Sequence, residues 1–253
     1  MIYITGDTHG KFERIEEFCY GEAFTEDDDV LVILGDVGFN YFGDPKDREL
    51  KEQVSELPVT LLCIHGNHEI RPHNIKTYEK KRWRSGEVYW ESEFPNILFA
   101  VDGEIYELEG KRCIALGGAH SMDKKDRTIG ISWWPDEQPS ETIIEHAQRK
   151  LDDADWQVDY VFSHTCPRSC LPYTELPKLL DKSDLSGKAE DYTEPWLNDI
   201  HSRLNFTKWY CGHFHMDGFY NGIHFMEFGY DELDVDLDYE EVDYGEWEEI
   251  CNT

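Results

Sequence analysis

Five short apolar runs in this chain each end on a side chain able to hold a metal or a proton, and this restricts the fold more than any other feature. Val59-Thr60-Leu61-Leu62-Cys63-Ile64 runs through His65 into Gly66-Asn67-His68-Glu69. Upstream, Ile2-Tyr3-Ile4-Thr5 meets Gly6-Asp7-Thr8-His9-Gly10, and Val30-Leu31-Val32-Ile33-Leu34 meets Gly35-Asp36. Downstream, Tyr160-Val161-Phe162-Ser163 meets His164, and Trp209-Tyr210-Cys211 meets Gly212-His213-Phe214-His215. Apolar runs of this length read as buried strands. Ligands of α/β folds gather where such strands end, at their carboxyl termini.

Helical spacing fills the gaps between the first three runs. Residues 11–20 place Phe12, Ile15, Phe18 and Cys19 on one face, and Pro45 opens a second helix over 45–56 that Pro58 closes. The first seventy residues therefore read β-α-β-α-β, the pattern of a parallel sheet. Residues 71–86 carry six Lys or Arg and read as a solvated helix or loop. Four β-like runs follow, at 87–90, 97–101, 104–108 and 112–116, with hairpin signals at Asp102-Gly103 and Glu109-Gly110. They read as a second, antiparallel sheet packed on the first. Beyond Gly117-Gly118-Ala119-His120-Ser121 comes a loop over 122–139 with two adjacent tryptophans, Trp133 and Trp134. Ser140 caps a helix over 141–154, residues 166–192 are irregular, and a helix near 194–204 leads to the last motif. Asn221-Gly222 marks a closing hairpin.

In an extended segment residues i and i+2 point the same way. Asp7 with His9, and His213 with His215, are thus arranged to offer two ligands to one centre. With Asp36, Asn67 and His164 the set is three oxygen donors and four imidazoles. That is too many for a single zinc ion, which takes about four ligands, and it suits two divalent metals sharing a carboxylate. Such donors fit manganese, iron or zinc better than calcium or magnesium, and manganese is the first candidate. A metal pair clamps the attacking and leaving oxygens of an in-line displacement at phosphorus and supplies hydroxide from a bridging water at neutral pH. His68, beside Asn67 but not needed as a ligand, is placed to act as general acid.

In this order the motifs resemble those of the calcineurin-like metallophosphoesterase superfamily, across residues 6 to 215. The resemblance implies two packed mixed sheets flanked by helices, a four-layer αββα sandwich. It implies one metal on Asp7, His9, Asp36 and His215, a second on Asp36, Asn67, His164 and His213, and catalytic roles for Asp36 and His68. One departure stands out. The protein-phosphatase branch follows Gly-Asp with Asp and a phosphate-gripping Arg, whereas here Gly35-Asp36-Val37-Gly38-Phe39-Asn40-Tyr41 has neither. Arg71 and Arg127 are the candidate replacements, and His120, behind two glycines, is a further candidate at the substrate.

The formal charge is −30, and eleven acidic residues lie in 231–249 with no Lys or Arg among them. Removing those eleven leaves −19, so the body is acidic too, which argues against duplex nucleic acid as a partner. We read residues 1–230 as the catalytic domain and 231–253 as an acidic tail, either an edge strand or, as its charge run favours, a mobile or loosely docked arm, that could meet a protein partner. Seven scattered cysteines, no apolar run long enough to span a bilayer and no leader-like start read as a cytoplasmic protein without disulfides. The expected substrate is a soluble, nucleotide-like phosphoester. A phosphoprotein, a short single strand and a non-catalytic scaffold are the alternatives. His65 and His224 read as strand histidines, and His73, His146 and His201 as surface residues. Cys166 and Cys170 read as packing rather than as a third metal site.

Overall fold

The computed structural model describes residues 1–21, 29–43, 45–172 and 191–235. β1 (Ile2–Thr5), β2 (Val30–Ile33), β3 (Thr60–Cys63) and β6 (Phe94–Ala100) form the parallel centre of a seven-stranded sheet. β5 (Gly86–Glu91) and β4 (Glu79–Trp83) extend it antiparallel on one side, and β13 (Asp231–Glu232) does so on the other. The second sheet, of six strands, runs β11 (Gly218–Tyr220), β12 (Ile223–Phe225), β10 (Lys208–Cys211), β9 (Tyr160–Ser163), β8 (Lys111–Leu116) and β7 (Ile105–Leu108). Its four middle strands are parallel and its two outer strands antiparallel.

Strand parity divides the interior into three apolar layers. Ile4, Val30, Val32 and Leu62 face Tyr106, Ala115, Phe162 and Tyr210 of the other sheet. Their neighbours Tyr3, Leu31, Ile33 and Leu61 pack beneath α1 (Glu13–Gly21) and α2 (Pro45–Val54), through Ile15, Cys19 and Val54. On the far side Ile114, Val161 and Trp209 pack beneath α3 (Glu141–Asp153) and α4 (Thr193–His201), through Ala147, Leu151, Leu197 and Ile200. Both faces of each sheet are covered, so the central strands are apolar throughout rather than alternating. The architecture is the expected helix–sheet–sheet–helix sandwich. α3 starts as its capping signal implies, with Ser140 Oγ accepting the Ile143 N–H at 3.4 Å.

Three expectations are corrected. The basic stretch over 71–86 contains β4, an edge strand whose sequence, Glu-Lys-Lys-Arg-Trp, hides its structure. Lysines on an outer strand keep it from pairing further, and here Lys80 and Lys81 lie over the Tyr89 and Trp90 rings of β5. The β-rich section that follows is not one antiparallel sheet: β5 and β6 join the first sheet, β7 and β8 the second. Asp102-Gly103 is therefore a crossing between sheets, not a hairpin. Asp102 Oδ1 accepts the Gly117 N–H at 2.9 Å and its other oxygen pairs with Arg71, which ties the crossing to both neighbours. Glu109-Gly110 does turn a hairpin, with φ of 49° and 77°.

The acidic segment is not loose at its start. Ile4 and Tyr3 pair with Asp231 and Glu232, and Leu233, 3% exposed, joins the layer between the sheets. Residues 236–253 lie outside the described residues, as do 173–190, most of the irregular stretch at 166–192. The six described cysteines are buried and free. Among the described residues no helix is long and apolar enough to cross a membrane. Truncating a buried leucine costs about 2–5 kcal/mol. Leu233→Ala should therefore lower the urea midpoint of the chain by a corresponding amount, whereas a tail that only hangs from the domain would leave it unchanged.

Candidate metal centre

The central strands of each sheet are parallel, so their carboxyl ends, and the residues that follow, collect at one rim. Asp7 and His9 follow β1, Asp36 follows β2 and Asn67 and His68 follow β3. His164 follows β9, and His213 and His215 follow β10. Asp7, His9 and His215 offer donor atoms that all lie within 4.8 Å of one another, and so do Asp7, Asp36 and His164. His213 stacks edge-on against His164, ring centres 4.9 Å apart.

Each carboxylate is pinned by the loop opposite. Asp7 Oδ1 accepts the His213 N–H at 3.0 Å, and Asp36 Oδ1 accepts the His68 N–H at 2.9 Å. This leaves both Oδ2 atoms turned inward. Asp7 Oδ2 is buried with no hydrogen-bond partner, 3.4 Å from His215 Nε2 and 3.7 Å from His9 Nε2. Asp36 Oδ2 lies 3.6 Å from His164 Nε2, 3.7 Å from His68 Nε2 and 4.0 Å from His9 Nε2. Glycine makes the approach possible: a Cβ on Gly66 would fall 2.0 Å from Asp36 Oδ1, and one on Gly212 would fall 2.2 Å from Asp7 Oδ1. His9, Asp36, His213 and His215 all hold positive φ, between 46° and 68°. Such a backbone costs of order 1–3 kcal/mol at each non-glycine residue, and here four candidate ligands carry it themselves.

The donor set fits a cation on a further count. His164 Nδ1 lies 2.8 Å from the Leu34 carbonyl oxygen, so the proton sits there and Nε2 presents a lone pair. Asn67 Nδ2 donates to Ser121 Oγ at 2.8 Å, which turns Asn67 Oδ1 toward His164. With His164 neutral, its Nε2 and Asn67 Oδ1, 2.8 Å apart, are two acceptors with no proton between them. A divalent ion held by both is the arrangement that satisfies them. His9 Nε2 and His215 Nε2, 2.9 Å apart, form a second such pair of convergent nitrogens.

Burial alone would raise the Asp36 pKa, but when the surrounding rings are protonated the charges of His164, His68 and His9, with the His68 N–H, outweigh it and hold the carboxyl well below its usual range. Burial, with the Asp36 charge beside it, instead pushes Glu69 up to about 8. Glu69 Oε1 accepts the Gly66 N–H at 2.8 Å, which braces the loop that carries Asn67. Burial chiefly lowers the His68 pKa; Asp36 draws it back up and Arg127 lowers it further.

Beside these residues lies a cavity of about 570 Å³, lined among others by His9, Asp36, His68, Tyr41, Phe42 and Arg127. Arg127 is at the candidate centre: Nη2 is 3.3 Å from His68 Nε2, while Nε donates to Asp123 at 2.6 Å and Nη1 to the Ser132 carbonyl at 3.0 Å. Arg71 is not. It is 4% exposed and spent on the Asp136 carbonyl, at 2.6 Å, and on Asp102, because the chain turns away after Glu69. His120 is buried beside Glu137, 3.6 Å away, and does not line the cavity. The tryptophans form no open platform: Trp134 packs edge-on against Tyr41, and Trp133 Nε1 donates to Glu137 at 2.6 Å.

The family-level comparison agrees with this geometry. The model of the calcineurin-like phosphoesterase family matches residues 1–225. The chain belongs to that family. It is a phosphoester hydrolase of a binuclear, metal-dependent class. No curated protein matches it. Among solved structures, the phosphopantetheinyl hydrolase of Mycobacterium tuberculosis is similar at TM-score 0.45 and 14% identity, over 89% of this chain and 87% of that one. A protein of unknown function from Aquifex aeolicus is similar at TM-score 0.31 and 16% identity, over 65% of this chain and 80% of that one.

Sequence reasoning missed Ser121 and Glu137. Ser121 Oγ receives the Asn67 amide and donates to Glu137 Oε2 at 2.5 Å, so this pair fixes which way Asn67 faces. The signal was present: Gly117-Gly118-Ala119-His120-Ser121 ends a strand as the other motifs do. Outer partners of this kind are worth about 10–100-fold in metal affinity or activity. Ser121→Ala should therefore lower kcat/KM of this phosphoesterase by that order while its circular dichroism spectrum stays native.

Proposed function

We propose that the protein hydrolyses small, soluble, nucleotide-like phosphoesters, diesters in preference to monoesters, at a centre of two divalent cations with manganese the first candidate. Asp7, His9, Asp36 and His215 would hold one ion, and Asp36, Asn67, His164 and His213 the other. The observation that carries this reading is the acceptor-to-acceptor contact of His164 Nε2 with Asn67 Oδ1 at 2.8 Å, beside a buried and unpartnered Asp7 Oδ2. When bound, the pair supplies Lewis acidity toward a phosphoryl group and its attacking water.

The chain's own side chains do the rest. Asp36 keeps one oxygen on the His68 N–H and presents the other, so its orientation is set before substrate arrives. His68, whose partly exposed side chain lines the cavity, delivers the proton that the leaving oxygen needs. A lowered pKa makes its imidazolium a readier donor. Arg127 is fixed on two of its three nitrogens by Asp123 and Ser132, which leaves Nη2 at the cavity to meet a phosphoryl oxygen. One such cation suits the single charge of a diester better than the double charge of a monoester. Tyr41, Phe42 and Leu50 on the same cavity supply the flat, apolar wall that a base or other aromatic group requires. This wall, rather than the tryptophan pair, supports the nucleotide-like substrate.

Two measurements test the reading. Purified protein should carry about two divalent ions per chain and turn over bis-p-nitrophenyl phosphate faster than p-nitrophenyl phosphate. Asp36→Asn should abolish both the metal and the turnover. Absence of metal from the wild-type chain would favour a scaffold instead. For Arg127→Ala we expect a fall in kcat/KM of tenfold or more on the diester; unchanged kinetics would remove Arg127 from the site.

A further inference from the structure

The family match ends at residue 225, yet the chain does not leave the metal centre there. Beyond β12, residues 226–230 cross between two of the candidate ligand loops before the chain becomes β13. On one side this segment is bound to the loop of His213 and His215. Met226 donates its N–H to the Cys211 carbonyl at 2.9 Å. Asp217, two residues after His215, accepts the N–H of Glu227 at 2.8 Å and those of Phe228 and Gly229 at 3.0 Å. On the other side the segment lies against the loop of Asp7 and His9. A Cβ on Gly6 would fall 2.0 Å from the Met226 carbonyl oxygen, and Thr5 Oγ1 donates to the Gly229 carbonyl at 2.8 Å.

One side chain closes this contact. Arg14, near the start of α1, sends Nη2 to the carbonyl oxygens of Gly6 and Asp7, each at 3.1 Å. Its Nη1 donates to Thr5 Oγ1 at 2.8 Å and to the Tyr230 hydroxyl at 3.1 Å. The same hydroxyl donates back to the Arg14 carbonyl at 3.0 Å. The Tyr230 ring stacks on Phe18, about one turn along α1, with centres 3.7 Å apart and planes 5° from parallel. None of these four acceptors is a carboxylate. The guanidinium acts here as a planar fork that fixes a backbone path, which a single ammonium cannot do. Both loops need such support. His9 and His215 each hold a φ of 47°, and a strained backbone persists only where its surroundings over-determine it.

We propose that Arg14 is a positioning residue for the ion assigned to Asp7, His9, Asp36 and His215, and that residues 226–230 are the brace through which it acts. The brace fixes the Asp7 loop against the His215 loop, so that Asp7 Oδ2 and the two Nε2 atoms stay convergent. The proposal rests on the two-cation reading above.

Manganese calorimetry on the metal-stripped, full-length chain tests it. The wild type should take up about two ions. Arg14→Lys and Tyr230→Phe should each weaken the binding of one ion at least tenfold, since outer partners of metal ligands are worth about 10–100-fold. Their turnover of bis-p-nitrophenyl phosphate should return to the wild-type value once manganese is saturating. Leu151→Ala, which hollows the core beneath α3 behind the second sheet, is the comparison. It should melt below both variants in chelator, yet bind manganese as the wild type does. An unchanged isotherm for Arg14→Lys would overturn the role of Arg14, and one for Tyr230→Phe would overturn the brace. Equal weakening in Leu151→Ala would make the effect one of stability alone and overturn both. A wild-type chain that takes up no manganese would instead sink the two-cation reading.

Discussion

Burying two carboxylates side by side is the demand that organises this molecule. Asp7 and Asp36 are 6% and 2% exposed and share a cluster whose donor atoms lie within 4.8 Å of one another. Charges taken out of water are costly unless something of opposite sign meets them. Here each carboxylate meets one backbone N–H and a ring of imidazoles, and each keeps an oxygen turned inward. The strained loops, the glycines pressed against carboxylate oxygens and the convergent imidazole nitrogens all serve that arrangement. A pair of divalent cations repays it, which is why the centre reads as built for metal rather than merely tolerant of it.

Much of this was legible in the sequence because each motif is local. A run such as Val30 to Leu34 followed by Gly35-Asp36 states both a buried strand and what it carries. Parity along those strands then gives the three apolar layers. What escaped was long-range. The polar strand β4 is held by its neighbour β5 and by rings above its lysines, not by its own pattern. The division of four β-like runs between two sheets depends on a parallel pairing of β8 with β9 that no local signal announces. Arg71 shows the same limit at the site. It stands near His68 in the chain, yet the fold commits it to Asp102 and Asp136. Ser121 is far from Asn67 in the chain and orients it all the same.

The electrostatics of the chain are likewise local rather than global. A net charge of −30 describes the surface and the acidic segment. It does not describe the cavity at the metal centre, which gathers histidines about buried carboxylates. Potentials inside such a recess follow its own lining, because low-dielectric walls screen little.

The pairing of β1 with β13 joins residue 4 to residue 231. During synthesis the outer rim of the first strand therefore waits, unpaired by β13, until residues 231 and 232 have emerged. Contacts so distant along the chain form late and slow assembly. Until that final clasp closes, the nascent protein carries an open template on which another copy could zip up.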